Sequence, residues 1–266
     1  QKLEPSGGAS VPRVYERIYE EMRNEASGSD LSERIFEWAV EIAREYATAD
    51  SPGLGLRPKH GIADQLVYSQ VQEQLGGNVE FLVSGGGSLS KNLADLFNGM
   101  GIPIYEGYGL TEAAPVVTTN PTEDLRTGTL GPPMPGIDIR IDESQVSDEQ
   151  FDEADGEVGE LLVKGPNITE GYWKMPEKTE EAFTPDGYFK TGDIVERVED
   201  DYLVYHDRLK NLLVLDTGKN VAPDPIEDEF STSSRVDQVM AMGDDEKFIS
   251  ALVVPNFDAI ERWAQN

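Results

Sequence analysis

Apolar and polar positions follow two different periods along this chain, and the change comes near residue 128. In the first third, Leu31, Ile35, Trp38, Ala39, Ile42 and Tyr46 recur at steps of three and four, the spacing of one apolar stripe on a helix. Asp30 and Glu33 fit a capping box at its start, and Pro52, Gly53 and Gly55 end it. Residues 11–23 predict an earlier helix with Pro12 near its start. The apolar run 80–83 then predicts a buried strand, which Ser84-Gly85-Gly86-Gly87-Ser88 breaks. Residues 90–97 read as a helix that Ser90 can cap, and 102–105 as a second strand. Strand, glycine turn, helix, strand is the βαβ pattern, whose crossover is right-handed and whose strands are parallel. Ligands of open α/β sheets gather beyond the carboxyl ends of the strands, where the loop 85–87 and the segment 106–112 would both emerge. After residue 128 the period shortens and glycine and proline punctuate the chain. Residues 137–141, 160–163, 202–206, 212–215, 238–242 and 248–254 read as strands, 143–156 as an acidic loop, and 257–264 as the beginning of a helix. The fold class expected is α/β followed by a β-rich region, with no internal repeat.

Composition narrows the function. The chain has 266 residues, 38% of them hydrophobic, enough for a sizeable core. No apolar run approaches the ~18 residues of a membrane span, and the start QKLEPSGGAS lacks the apolar centre of a signal peptide, so a cytoplasmic protein is expected. Cysteine is absent, which excludes disulfides, thiolate nucleophiles and Cys-ligated zinc. Asp and Glu number 51 against 22 Lys and Arg, a net charge of −29. A field of that sign repels phosphate backbones, so no nucleic-acid partner is expected. The acids are scattered (Glu16, Glu20, Glu37, Glu41; Asp148, Glu149, Asp152, Glu153, Asp155) and lysines number ten. This suits a protein adapted to very high salt, where counterions screen self-repulsion; the alternative is an acidic protein of ordinary cytoplasm. His60 and His206 are not spaced as a metal-ligand pair, and His206 is expected to face solvent on a strand. Trp38, Trp173 and Trp263 are expected in packing roles.

Three segments carry candidate chemistry. In Glu106-Gly107-Tyr108-Gly109-Leu110-Thr111-Glu112, the glycines let backbone approach a ligand and Thr111 can bind a phosphate oxygen. Glu112 can hold Mg²⁺, which takes few protein carboxylates and several phosphate oxygens, and Tyr108 offers a stacking face. The plainer reading, a turn that opens a helix capped by Thr111, comes first on residue types alone. In Thr191-Gly192-Asp193, an aspartate after a glycine turn can accept hydrogen bonds from ribose hydroxyls; the plainer reading is a turn. In 207–227, Arg208 and Lys210 can meet an anion, with arginine able to fork onto ribose or phosphate, or they form a solvated pair facing nearby acids.

Taken together and in order, EGYGLTE (106–112), GELLVKGPNITEGYWKMPEKTEEAF (159–183), GYFKTGD (187–193) and DRLKNLLVLDTGKNVAPDPIE (207–227) resemble the adenylate-forming acyl-CoA synthetases. VPRVYERIYE (11–20), VSGGGSLS (83–90) and GKNVAP (218–223) point to the long-chain fatty acid–CoA ligase branch. The resemblance runs from about residue 11 to residue 264. It implies part of a large AMP-binding domain over 1–206 (α/β part about 1–127, β-rich part about 128–206). The start of a small mobile α+β domain would follow over 207–266, with a hinge near 207–212.

The resemblance also implies roles. Thr111 would bind ATP phosphates and Glu112 would ligate Mg²⁺. Gly86, Gly87 and Ser88 would line the adenine pocket with Tyr108 stacked on the ring, beside Gly109. Asp193 would hold the ribose hydroxyls helped by Arg208, with Tyr205 packed by the nucleoside. Lys210 would be the hinge, and Gly218 would belong to a hairpin that approaches CoA. Fatty acid, ATP and CoA are the implied substrates, and peripheral contact with a bilayer is compatible with them. An oligomeric state is not implied. Two family features, a phosphate loop upstream and a catalytic lysine near the C-terminus, have no counterpart here, so the resemblance implies an internal piece of a longer synthetase, inactive alone. Thr217 stands where a glycine is usual and puts the hairpin turn in question. Two alternatives stay open: an enzyme that passes the acyl group from acyl-AMP to another acceptor, and a non-catalytic nucleotide-binding homologue.

Overall fold

The computed structural model describes every residue except 1–4, 50, 147–153, 155, 231, 232, 234 and 266. The acidic positions Asp148, Glu149, Asp152, Glu153 and Asp155 lie outside the described residues. The chain divides into two compact units, Gln1–Tyr108 with Asn120–Gly128, and Gly109–Thr119 with Thr129–Asn266.

The first unit contains β1 (Gly7–Ser10), α1 (Pro12–Ala26), α2 (Asp30–Thr48) and α3 (Leu56–Ala63). A π-helical turn (Asp64–Tyr68) leads into α4 (Ser69–Gln74), followed by β2 (Phe81–Ser84), α5 (Lys91–Gly99) and β3 (Ile104–Gly109). Strands β1, β2 and β3 pair in parallel, with Ser10 opposite Ser84 and Ser84 opposite Glu106 at their carboxyl ends. The expected βαβ unit is therefore β2–α5–β3. Strand β1 has no apolar signal in GGAS, and its pairing to β2 depends on a neighbour over seventy residues away.

Helix α1 begins as its sequence predicts, with Val11 extended and Pro12 in the first turn. Helix α2 differs in two respects. Ser29 is its cap and accepts the Ser32 N–H at 3.2 Å, so Asp30 is the first helical residue and the expected capping box is not its start signal. Its buried face is Phe36, Ala39, Val40, Ile42 and Ala43, whereas Leu31 is 69% exposed. The stripe is rotated because Ala39 and Ala43 are small and α5 closes on that edge. A Cβ on Gly99 would run into the Ala43 carbonyl. Ser90 precedes α5 as expected, but its hydroxyl makes no capping bond. Tyr15, Tyr68, Phe97, Ile102 and Ile104 form the centre of this core. The Tyr15 and Tyr68 hydroxyls donate to the Val83 and Ala39 carbonyls at 2.7 and 2.6 Å, which removes the penalty of burying a phenol. His60 stacks on Tyr46 with ring centres 3.9 Å apart, a packing role.

The second unit contains β4 (Val116–Thr119), β5 (Asp138–Asp142), β6 (Glu157–Lys164), α6 (Pro176–Ala182), β7 (Phe189–Arg197) and β8 (Leu203–Arg208). The hairpin strands β9 (Leu213–Val214) and β10 (Asn220–Val221) come next. They are followed by α7 (Pro223–Asp228), β11 (Val236–Met242), β12 (Ser250–Pro255) and α8 (Phe257–Gln265). Strands β5 to β8 form an antiparallel sheet in sequence order, and β9–β10 and β11–β12 are separate antiparallel pairs. Val158, Ile194 and Leu212 pack together against Leu209 and Ala222. Mixed α/β architecture with a β-rich second part is thus what the chain adopts.

Three expectations are corrected in this unit. Thr191-Gly192-Asp193 is not a turn between elements but an irregularity inside β7, a strand the sequence pattern did not reveal. His206 does not face solvent: its side chain is 17% exposed and its Nε2 lies 3.3 Å from Glu196 Oε2. Trp173 and Trp263 are 85% and 62% exposed, and Trp38 alone of the three packs against a core. Among the described residues, no helix is long and apolar enough to cross a membrane.

Candidate functional site

In the first unit, the candidate residues gather at the carboxyl ends of the parallel strands. The Gly85 N–H donates to the Ser10 carbonyl at 3.2 Å, which carries the β1–β2 ladder up to the glycine loop. Gly86 has φ +77, a conformation that L side chains rarely adopt. Gly86, Gly87 and Ser88 are exposed, and Tyr108 is half-buried near the end of β3. Buried Glu106 accepts the Gly128 N–H at 3.3 Å through its carboxylate and the Asn120 N–H at 2.9 Å through its carbonyl. Ser84 is buried and its hydroxyl meets no partner among the described residues. A buried hydroxyl left this way is an incomplete polar site, and nothing in the spacing of the run 83–90 distinguishes it from its neighbours.

The remaining candidates belong to the second unit. A Cβ on Gly109 would run into the Pro115 carbonyl, so this position requires glycine. Thr111 opens a 3₁₀ turn over Thr111–Ala113 without capping it, and Leu110 takes the cap position. Thr111 is exposed and Glu112 half-buried. The Glu112 carboxylate accepts the Tyr172 hydroxyl at 2.9 Å, and its carbonyl accepts the Thr169 N–H at 2.7 Å. Burial, then the bond to Glu112, raises the Tyr172 phenol above its ordinary pKa. A half-exposed carboxylate beside an exposed threonine fits Mg²⁺ arriving on substrate phosphates, since that ion keeps few protein ligands.

Asp193 is aimed by the irregularity in β7. Glu160 pairs with Ile194 and Leu162 with Lys190, so Leu161 stands opposite the three residues Thr191, Gly192 and Asp193. The bulge is pinned at both ends. The Thr191 hydroxyl donates to the Leu161 carbonyl at 2.7 Å, and the Gly192 N–H donates to the Glu160 carboxylate at 2.9 Å. Gly192 takes φ +71. Burial raises the Glu160 pKa, opposed by that N–H. Asp193 then pairs across the sheet with Arg208, Nε to Oδ1 at 3.4 Å. Tyr205 lies close by; burial first, then the charges of Asp193, Asp224 and Asp207, push its phenol far up.

Asp207, fully buried, holds the segment that follows. Its carboxylate accepts the Arg208 N–H at 2.6 Å, the Asn211 amide at 3.1 Å and the Asp224 N–H at 3.2 Å. It therefore ties the end of β8, the turn Leu209–Asn211 and the first turn of α7. Lys210 is exposed on that turn. Gly218 has φ +81 in the β9–β10 hairpin, where Thr217 is accommodated without a positive φ. The structure thus joins Asp193, Arg208 and Tyr205 in one cluster, and Thr111 and Glu112 in another, and it adds Tyr172, Glu160, Asp207 and Ser84. Tyr172 stands inside the recognised run 159–183, but nothing in its spacing marks it.

Comparison with known proteins gives consistent findings. Residues 1–173 match the AMP-binding enzyme family, and residues 210–265 match the AMP-binding enzyme C-terminal domain. The chain is 39% identical over 266 residues to long-chain-fatty-acid–CoA ligase FadD15 of Mycobacterium bovis, covering 99% of this chain and 42% of that protein. It is 33% identical over 265 residues to long-chain-fatty-acid–CoA ligase 1 of Homo sapiens, covering 99% of this chain and 37% of that protein. The fold matches the A domain of carboxylic acid reductase from Segniliparus rugosus in complex with AMP and a co-purified carboxylic acid. The TM-score is 0.68 at 27% identity, over 99% of this chain and 37% of that one. The chain spans about two fifths of the curated relatives it matches.

Proposed function

Because the chain belongs to the AMP-binding enzyme family, we propose that the whole protein is a long-chain fatty acid–CoA ligase. A fatty acid carboxylate attacks the α-phosphorus of ATP, giving acyl-AMP and pyrophosphate. The CoA thiol then attacks the acyl carbonyl and expels AMP. The observation that carries this reading is the Asp193–Arg208 pair on the pinned bulge. A carboxylate fixed beside a guanidinium suits a ribose diol, with the carboxylate accepting from the hydroxyls and arginine donating back. Tyr205 gives the nucleoside a partly apolar neighbour. Thr111 donates to phosphate oxygens, and Glu112 holds the Mg²⁺ that neutralises charge at phosphorus when bound. Gly86, Gly87, Ser88 and Tyr108 line the adenine side, with Gly109 giving the backbone its close approach. The names of the two ligases support CoA as acceptor.

The domain boundary belongs to the same proposal. The family matches leave 174–209 unassigned and resume at 210. This supports a joint near 207–212, with Lys210 as its pivot and the Gly218 hairpin on the moving side. A hinge of this kind lets one active site serve two half-reactions. The charge of −29 supports a protein of salt-rich cytoplasm.

The test is AMP release by the full-length protein in multimolar KCl, with ATP, Mg²⁺ and a panel of long-chain fatty acids, with and without CoA. Release that needs both fatty acid and CoA is expected. Fatty-acid-dependent pyrophosphate release without any CoA effect on AMP would instead favour transfer to another acceptor. That second reading draws on the likeness to the carboxylic acid reductase A domain. No fatty-acid-dependent turnover at any salt would make the substrate assignment wrong.

A further inference from the structure

The segment between β6 and α6 is fastened to the Thr111–Glu112 turn at three levels. The Asn167 amide donates to the Ala113 and Val116 carbonyls at 2.7 and 3.0 Å. The Thr169 N–H donates to the Glu112 carbonyl at 2.7 Å. The Tyr172 hydroxyl donates to Glu112 Oε1 at 2.9 Å. The far end of the segment is anchored as well. The Tyr172 N–H donates to the Thr179 hydroxyl at 2.9 Å, and Gly171, with φ +143, lies against the Thr179 side chain where no Cβ would fit. Bonds to the main-chain carbonyls of this turn thus fix where Glu112 is, and the Tyr172 hydroxyl fixes which way its carboxylate points.

We propose that Tyr172 is a positioning residue for Glu112, holding one carboxylate oxygen so that the other meets a divalent cation carried on the substrate's phosphates. The inference rests on the reading of Glu112 as the cation's protein ligand. A free glutamate side chain samples several rotamers, and binding a cation must select one of them. The phenol makes that selection beforehand and leaves Oε2 for the ion. Hydrogen bonds to a ligating carboxylate are worth about 10- to 100-fold in metal affinity. The strap Asn167–Tyr172 is therefore part of the site, although none of its side chains was a candidate by residue type.

The test uses the full-length protein with Mn²⁺ as the probe, bound Mn²⁺ being read by electron paramagnetic resonance in the presence of a non-hydrolysable ATP analogue. Tyr172→Phe keeps the ring and deletes the hydroxyl at a position 37% exposed. It is expected to raise the Mn²⁺ concentration for half-saturation about tenfold, with the thermal midpoint and the KM for fatty acid unchanged. Glu112→Gln is expected to weaken Mn²⁺ binding further, and adding Tyr172→Phe to it is expected to change nothing more, the non-additivity of two groups acting as one. Unaltered Mn²⁺ affinity in Tyr172→Phe, while Glu112→Gln weakens it, overturns the positioning role and leaves the reading of Glu112 intact. Unaltered affinity in Glu112→Gln overturns both.

Discussion

At His206, burial and charge pull in opposite directions. Burial lowers its pKa, Glu196 raises it, and burial is the larger effect, so the fold favours the neutral ring. The unfolded chain takes up the proton more readily. The group's contribution to stability is therefore present above its ordinary value of 6.5 and is lost as pH falls through and below it. Urea midpoints are expected to decline between about pH 7 and pH 5, and His206→Gln is expected to make that decline shallower. An identical slope in the variant would show that the ring does not titrate differently in the fold. The sequence placed this histidine on a strand correctly and its exposure wrongly. Strand alternation gives the side of the sheet, and what covers that side is set by β7, whose Glu196 comes from ten positions earlier.

Among the elements, α2 and α5 show how backbone approach is encoded. They meet where a Cβ on Gly99 would run into the Ala43 carbonyl. By helix propensity alone, Gly99→Ala would stabilise by about 1 kcal/mol. A methyl group forced against a packed backbone costs about 1–3 kcal/mol, and the backbone here has no flexible neighbour to displace, so the clash wins. A lower thermal midpoint is expected, and a raised one would mean the two helices separate without cost. The same contact explains why the apolar stripe of α2 is rotated from the one its spacing predicts. Strand β7 was missed for a related reason. Its alternation is interrupted by Thr191, Gly192 and Asp193, and the bulge that absorbs them exists only through bonds to Leu161 and Glu160 on the neighbouring strand.

For the whole molecule, charge is the governing quantity. Unscreened, −29 on 266 residues favours expansion, and the Debye length falls from about 10 Å at 0.1 M salt to about 3 Å at 1 M. The thermal midpoint is expected to rise with KCl over that range, more than it does with a non-ionic osmolyte that strengthens apolar burial alike. Equal rises with both would assign the effect to burial rather than screening.

The sequence by itself determined the α/β class, the βαβ unit at β2–α5–β3, the strands β5, β6, β8, β9, β11 and β12 of the second part to within a few residues but not β7, and the family. All of these rest on local spacing or on short contiguous runs. Periodicity and turn chemistry act within a few residues, so they can be read without knowing what lies opposite. Only the tertiary structure decided the pairing of Asp193 with Arg208, the three bonds to the Asp207 carboxylate, the orphan hydroxyl of Ser84 and the bond from Tyr172 to Glu112. Each joins or isolates side chains according to which strand or turn comes alongside. Tyr172 and Glu112 lie sixty positions apart in the chain. A hydrogen bond requires donor and acceptor within about 3 Å, and no one-dimensional pattern carries that distance.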